Sequence, residues 1–291
     1  MILKILLLSL FCLNLNTADD PKFHTRIIGG HACGGDKRKY AIALTSFFGM
    51  PICSASLISP FWILTAAHCE MSCTCYYASP AYIRDKYIDT DGWLPWSCPV
   101  VAVDQIYGHP DYQYSNIIND IALMRLSKPI YNNSEVDYLP LPILHQEHLT
   151  DICEKGTAVG FGIAKKRSHL QAMHVQCMDI GILPTRQCLT KLPGNLLAKA
   201  DSKICIDSTR SQDICYGDSG GPLICNDMQI GIASYIGEKQ CASGKPAVFT
   251  RVDRYLDFIT YTLNQGSRVY CFKFLFLLSI LNYIIYLLII I

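Results

Sequence analysis

Three short segments of the chain contain the residue types that nucleophilic catalysis requires. Ser219 lies in a Gly-Asp-Ser-Gly-Gly-Pro segment at residues 217–222, and His68 and Asp120 precede it in the chain. A serine hydroxyl is a weak nucleophile at its ordinary pKa, so it needs a nearby base, a group that orients the base, and donors for an oxyanion. Glycines on both sides of Ser219 allow a sharp turn that exposes the hydroxyl and directs backbone N–H groups inward. This pattern predicts acyl-transfer chemistry at Ser219.

Short apolar segments bounded by Gly, Pro, Asn or Asp recur along the chain and predict the elements that position these residues. Many short strands with frequent turns are typical of an all-β barrel or sandwich. The clearest helical pattern runs from Asp253 to about Leu263, where Tyr255, Leu256 and Ile259 recur at helical spacing. The strand-like segments are residues 40–45, 62–65, 99–103, 121–126, 156–160, 222–225, 231–235 and 247–250.

The glycines around Ser219 also fit the Gly-x-Ser-x-Gly turn of α/β-hydrolases, which include esterases and lipases. Two observations argue against that fold. The chain lacks alternating strands and helices, and the candidate partners precede the serine in the order His, Asp, Ser. A helix-rich circular dichroism spectrum would favour the α/β-hydrolase fold again.

Residues 64–69, 119–123 and 217–222 resemble the three signature blocks of the chymotrypsin/trypsin serine protease family, and residues 26–30 resemble its activation site. The resemblance extends from Ile27 to about residue 264. It implies an all-β fold with two six-stranded antiparallel β-barrels, a C-terminal helix, and a site in the cleft between the barrels. It also implies a serine endopeptidase, made as a zymogen, that hydrolyses peptide bonds through an acyl-enzyme.

The resemblance assigns a role to each residue of the site. His68 is expected to take the proton of Ser219 and pass it to the leaving amine, while Asp120 orients the imidazole and stabilises its cation. The N–H groups of Gly217 and Ser219 are expected to form the oxyanion hole, and Ser234 to support Asp120. The alternative is a non-catalytic homologue that acts as a binding protein, although such proteins usually lose one of the three catalytic residues. Covalent labelling by an organophosphate would distinguish the two.

The resemblance also places Asp213, six residues before Ser219, at the base of the primary substrate pocket. A buried carboxylate selects a cationic partner, so this position indicates cleavage after Arg or Lys. Ser234, Tyr235, Ile236 and Ala247 are expected to line the pocket, and the last two add bulk where glycines are usual. We therefore expect Arg to be preferred over Lys, with low efficiency on small substrates.

Hydrophobic segments at both ends of the chain predict signals for secretion and for membrane attachment. Residues 1–18 predict a signal peptide, and residues 19–26 a propeptide that ends at Arg26. After cleavage, the new α-amino group of Ile27 is expected to pair with Asp218. Residues 27–264 form the predicted peptidase domain, with two β-barrels, and 265–291 a hydrophobic tail. Its last eighteen residues carry no charge and are long enough to span a thin bilayer. Lys273 precedes them and no basic flank follows, which favours a glycolipid-anchor signal over a retained transmembrane helix. Release from cells by phosphatidylinositol-specific phospholipase C would decide between them.

Fifteen cysteines and a signal peptide indicate disulfides formed in the oxidising secretory pathway. One of Cys73 and Cys75 is expected to pair with Cys98, and a zinc cluster of these three with Cys69 is a less favoured alternative. Cys12 is removed with the signal peptide, and Cys271 is left without an assigned partner. The pairs that the resemblance implies are Cys33–Cys177, Cys53–Cys69, Cys188–Cys205, Cys215–Cys241 and Cys153–Cys225, the last with Cys153 in place of a family cysteine at Gly156.

The net charge of +1 gives no electrostatic support for a nucleic-acid partner. Apart from the less favoured zinc cluster, no residue pattern indicates a cofactor or a metal. Asn132 begins an Asn-Asn-Ser triplet and is a candidate glycosylation site. The expected partners are protein or peptide substrates, an activating protease, serine protease inhibitors and, through the tail, a membrane. The expected location is the secretory pathway and then the extracellular space or cell surface.

Overall fold

A computed structural model of the chain describes residues 27–46, 51–72, 77–81, 100–143, 149–162, 174–237 and 240–265. Within these ranges there are thirteen strands and three α-helices, at Leu149–Ile152, Thr185–Lys191 and 256–265. The strands are β1 His31–Ala32, β2 Ala41–Thr45, β3 Pro51–Ser59, β4 Trp62–Thr65, β5 Tyr77–Pro80, β6 Val101–Gly108, β7 Ala122–Leu126, β8 Lys155–Gly160, β9 Gln176–Gly181, β10 Lys203–Ile206, β11 Pro222–Cys225, β12 Met228–Tyr235 and β13 Ala247–Arg251.

The first half of the chain forms a closed antiparallel barrel of six strands, in the order β2-β3-β4-β7-β6-β5. Successive side chains of a strand point to opposite faces, and in β2 both of these faces are buried. Ile42 and Leu44 pack in the barrel core, whereas Ala41 and Ala43 pack in a second cluster that includes Phe161 from the other half. The barrel therefore uses its outer face at β2 to dock against the second half.

The second half forms a curled sheet of seven strands, in the order β1-β9-β8-β11-β12-β13-β10. Its two sides approach one another: the N–H of Leu183 donates to Cys205 O at 2.9 Å, and the N–H of Asp207 donates to Gly181 O at 2.8 Å. Six of the strands thus curl into a half-barrel, and the short strand β1, from the start of the domain, pairs with β9 at its edge. The predicted all-β architecture is confirmed, with a second unit less completely closed than the first.

The C-terminal helix lies where the sequence predicts one. A 3₁₀ turn at Val252–Tyr255 leads into an α-helix at 256–265. Tyr255 and Ile259 of this region belong to the core of the first barrel, although the preceding strand, β13, belongs to the second sheet. The segment after β13 therefore returns from the second sheet to the first barrel and connects the two halves.

Five disulfides link the described residues: Cys33–Cys177, Cys53–Cys69, Cys153–Cys225, Cys188–Cys205 and Cys215–Cys241. These are the five pairs that the sequence resemblance implies. At Gly156 an added Cβ would lie 3.0 Å from Leu223 Cδ1, so the backbone here is packed tightly and Cys153 supplies the bridge to Cys225.

Several predictions concern residues outside the described ranges. These are the signal peptide, the propeptide with Arg26, the pairing of Cys73, Cys75 and Cys98, and the hydrophobic tail beyond residue 265. Among the residues that are described, no helix is both long and apolar enough to cross a membrane.

Candidate active site

The carboxylate of Asp120 is fully buried just before β7 and is surrounded by donors. Its Oδ1 accepts the backbone N–H of His68 at 2.9 Å, and its Oδ2 accepts Nδ1 of His68 at 2.8 Å and the hydroxyl of Ser234. The hydroxyl of Thr250 donates to the backbone carbonyl of Asp120 at 2.9 Å. A buried carboxylate stays ionised only when such donors replace water. Here they come from both halves of the molecule.

The imidazole of His68 lies in a 3₁₀ turn, Ala67–Ser72, that directly follows β4. The Cys53–Cys69 disulfide ties this turn to β3. Because Nδ1 faces Asp120, the hydrogen-bond network assigns the proton to Nδ1 and leaves Nε2 as the basic nitrogen. Burial lowers the pKa of His68, but the charge of Asp120 and its hydrogen bond outweigh burial and raise the pKa above its ordinary value.

The turn that presents Ser219 depends on glycine. Gly217 and Gly220 have φ angles of 95° and 80°, in the left-handed region that favours glycine. A Cβ at Gly220 would lie 2.4 Å from Ser54 O, so no other residue fits there without a shift.

Ser54, on β3 of the first barrel, holds this turn from the opposite half. Its hydroxyl donates to Gly217 O at 2.8 Å, and its N–H donates to Ser219 O at 2.7 Å. Within the described ranges the N–H groups of Gly217 and Ser219 have no hydrogen-bond partner. Both donors are therefore available to an oxyanion at Ser219.

Asp218, next to Ser219, is buried behind this turn. Its carboxylate accepts the N–H of Cys215 and of Gly162, each at 2.8 Å. Burial, with a smaller contribution from the charge of Asp213, raises the pKa of Asp218 to about 7, against the effect of these two bonds. A side chain at Gly162 would overlap the carboxylate, because its Cβ would lie 2.4 Å from Asp218 Cγ.

Ile27, the first described residue, is also fully buried and packs in the core of the second sheet. It has a φ of 60°, which is unusual for a β-branched residue. The next residue, Ile28, forms a β-bridge with Asp213. The start of the described chain therefore runs beside the segment that carries Asp213 and Asp218.

A cavity of about 490 Å³ lies between the two halves and brings His68, Asp120, Ser219 and Ser234 together. Its lining includes Tyr235 and Ile236, as the sequence predicts. The sequence gives no indication of the wall that residues 109–118 form opposite Leu196, because no spacing rule connects these segments. The other lining residues are Tyr112, Tyr114, Ser115, Ile117, Ile214, Cys215 and Tyr216.

Two residues predicted for the substrate pocket do not line this cavity. Asp213 is fully buried, with its Oδ1 accepting the hydroxyl of Ser208 and its Oδ2 the N–H of Ala242, both at 2.7 Å. Burial raises the pKa of Asp213. Ala247 is fully buried as well, and its N–H donates to Ser208 Oγ at 3.1 Å. Both residues lie behind the cavity wall.

His68 also lies close to the sulfur atoms of Cys53 and Cys69. Because these two sulfurs form a disulfide, neither is a thiolate that could bind a metal ion. The cluster is a structural bridge beside the imidazole.

Comparison with known proteins decides the family. The family model described as Trypsin matches residues 27–259. This chain belongs to the trypsin family. It is similar to Trypsin I-P1 of Gallus gallus, with 32% identity over 87% of this chain and 93% of the relative, and to Kallikrein-8 of Homo sapiens, with 30% identity over 80% and 85%. The solved structure of mouse neuropsin, a serine protease, is similar with a TM-score of 0.66 and 27% identity, over 80% of this chain and 98% of that chain.

Membership of the trypsin family makes the chain a serine endopeptidase with a chymotrypsin-like fold. Its substrates are therefore peptides or proteins. The closed barrel, the curled sheet and the cavity between them agree with this family.

The geometry of the trypsin-family site predicts a shift in the pKa of His68. In Asp120→Asn the negative charge next to His68 is lost while burial remains, so the pKa should fall below that of the wild type. NMR titration of the His68 ring measures it. Asp104→Asn, which removes the partner of Arg125 on β6, is the control and should leave the pKa unchanged. An unchanged or higher pKa in Asp120→Asn would show that Asp120 does not control the imidazole.

Proposed function

We propose that this endopeptidase cleaves peptide bonds through an acyl-enzyme on Ser219, with His68 as the base and Asp120 as its orienting group. The observation that carries the proposal is the 2.8 Å contact between His68 Nδ1 and Asp120 Oδ2 beside Ser219 in one cavity. The hydroxyl oxygen of Ser219 attacks the scissile carbonyl carbon while its proton passes to Nε2 of His68. The resulting oxyanion accepts the N–H groups of Gly217 and Ser219.

The same groups complete the cycle. His68 gives its proton to the leaving amine as the C–N bond breaks, which leaves an ester on Ser219. A water molecule then attacks the ester, with its proton taken by His68 and later returned to the serine oxygen. Asp120 remains ionised throughout and stabilises the imidazolium, as its position within a set of donors from both halves supports.

Replacement of the nucleophile tests this mechanism. Ser219→Ala should reduce peptide hydrolysis to the level supplied by binding and the oxyanion hole, roughly 10³–10⁴ over the uncatalysed rate. An organophosphate probe should label the activated wild type and Ser127→Ala, in which an exposed serine outside the site is removed, but not Ser219→Ala. Normal activity in Ser219→Ala would refute the assignment, and an unlabelled wild type would favour a binding protein.

We also propose that the chain is a zymogen that is activated by cleavage after Arg26. Asp218 is a buried carboxylate that forms no ion pair within the described ranges, and its raised pKa of about 7 reflects that environment. Cleavage would give Ile27 an α-amino group with a reference pKa of about 7.7–8.0. Pairing with this cation would lower the pKa of Asp218 and fix the backbone of the oxyanion hole.

Activation is tested at the cleavage site. Arg26→Gln should remain inactive after treatment with a trypsin-like activating protease, because no free α-amino group forms. Arg26→Lys is the matched control, since trypsin-like activators cleave after lysine as well, and it should gain activity. N-terminal sequencing of the activated control should begin at Ile27. Full activity of Arg26→Gln would contradict the scheme.

For primary specificity we propose cleavage after Arg in preference to Lys, at low efficiency. The support is a buried carboxylate, Asp213, directly before two residues that line the cavity, Ile214 and Cys215. Ile236 lines the cavity and packs against the apolar clusters on both sides of this region. We expect low efficiency because Ile236 stands in the cavity and because Ala247 adds a side chain to the buried region around the carboxylate.

Removal of this bulk should open the pocket. The double variant Ile236→Gly with Ala247→Gly should raise kcat/KM for Arg substrates, because a long side chain can then reach Asp213. The control adds Asp213→Asn to the double variant and should abolish the gain, since the attraction for the guanidinium is lost. A wild type that prefers Phe or Leu at the cleaved position would show that Asp213 does not face the pocket.

We propose that the protein passes through the secretory pathway, with residues 1–18 as signal peptide, 19–26 as propeptide, 27–264 as peptidase domain and 265–291 as a tail that tethers it to a membrane. Five disulfides support an oxidising compartment. Asn132 lies in an exposed segment without regular secondary structure, which supports its use as a glycosylation site. Glycosidase treatment of the secreted protein, compared with Asn132→Gln, would detect the sugar.

A further inference from the structure

Two lysines join the two loops that form one wall of the cavity. The first-barrel loop, residues 109–118, connects β6 to β7, and the second-sheet segment, residues 194–203, leads into β10. Lys203 is only 4% exposed, and its ammonium lies 2.6 Å from Leu196 O and 2.8 Å from Ala198 O. Its third contact, at 3.5 Å, is Asn116 O of the first-barrel loop.

Holding backbone carbonyl groups with a buried ammonium carries a large desolvation cost. Burial lowers the pKa of Lys203 to about 8, and no carboxylate forms an ion pair with it within the described residues. An apolar side chain would fill the same space without the desolvation cost. What the ammonium adds is three N–H donors that reach both loops from one point.

Lys199 makes a second connection between the same two segments. Its Nζ donates to the side-chain oxygen of Asn119, at 3.1 Å, directly before the catalytic Asp120. The Asn119 amide in turn donates to Asp111 O at 2.8 Å, within the first-barrel loop. Lys203 therefore contacts the backbone of the first-barrel loop, and Lys199 contacts the side chain of Asn119 directly after it.

Both loops line the cavity, whereas neither lysine does. The first-barrel loop contributes Tyr112, Tyr114, Ser115 and Ile117, and the second-sheet segment contributes Leu196. Ile117 packs in the same apolar cluster as Leu196 and Tyr235. A change in the distance between the loops would alter this wall without displacing His68 or Ser219.

We propose that Lys203, assisted by Lys199, is a positioning residue that fixes this wall and so sets the affinity for substrate residues beyond the one that is cleaved. The inference rests on the proposed peptidase mechanism, because it concerns how substrates fill that cavity. The wall presents tyrosine rings and aliphatic side chains, so the substrate residues it favours are bulky and apolar.

The test compares an extended substrate with a minimal one. Both substrates carry the residue that a panel of peptide substrates shows to be preferred at the cleaved position. One is a tetrapeptide amide with aromatic residues before that position, and the other is a simple ester of the same amino acid. In Lys203→Met, KM for the tetrapeptide should rise about tenfold, a change of about 1.4 kcal/mol in binding. Its kcat, and both constants for the ester, should stay near those of the wild type.

Lys191→Met is the matched control, because Lys191 pairs with Asp207 on the surface and touches neither loop. It should change neither substrate's constants. Lys199→Met should shift KM for the tetrapeptide in the same direction by a smaller factor, and since Lys199 is exposed this variant decides the question if Lys203→Met does not fold. Equal losses on both substrates, or no change on the tetrapeptide, would overturn the proposal. A wild type that the organophosphate does not label would instead refute the peptidase mechanism itself.

Discussion

The buried carboxylate of Asp120 is the group on which the rest of the site depends. It lies on the first barrel, but Ser234 and Thr250, which bind it and its backbone, come from the second sheet. A buried carboxylate carries a large desolvation cost unless hydrogen-bond donors replace the water it has lost. The contact between the halves therefore does more than bury apolar surface, because it maintains the charge that makes His68 a stronger base.

The turn that carries Ser219 depends on the other half in the same way, but here the first barrel supports a residue of the second half. Ser219 belongs to the second half, and Ser54 of the first barrel donates hydrogen bonds to the carbonyl groups of Gly217 and of Ser219 itself. Each half thus supplies hydrogen bonds to a residue of the other half to which we assign a catalytic role. The helix at 256–265 strengthens this arrangement, since the chain returns from the second sheet to pack Ile259 into the first barrel.

The sequence is most informative where chemistry restricts the residue type. The glycines around Ser219 and the helical spacing after Asp253 each follow from a local requirement, so they are predictable without a structure, whereas the order His68, Asp120, Ser219 is informative only through the family resemblance. The cavity wall at Ile117 and Leu196 cannot, because it is formed by loops from different halves. Asp213 is assigned to the base of the pocket by the resemblance alone. The resemblance carries no information about its neighbours, and Ser208 and Ala242 donate hydrogen bonds to the two oxygens of its carboxylate.

The short strand β1 has a consequence for biosynthesis. It lies at the start of the peptidase domain, yet it pairs with β9 and is linked by Cys33–Cys177 across 144 residues of sequence. Domains generally fold from the N-terminus as the ribosome releases them. Here β1 cannot pair until the six strands of the first barrel, the connection between the halves and β8 have been translated. Other cysteines emerge before Cys177, so the order of emergence does not by itself select the native Cys33–Cys177 pair.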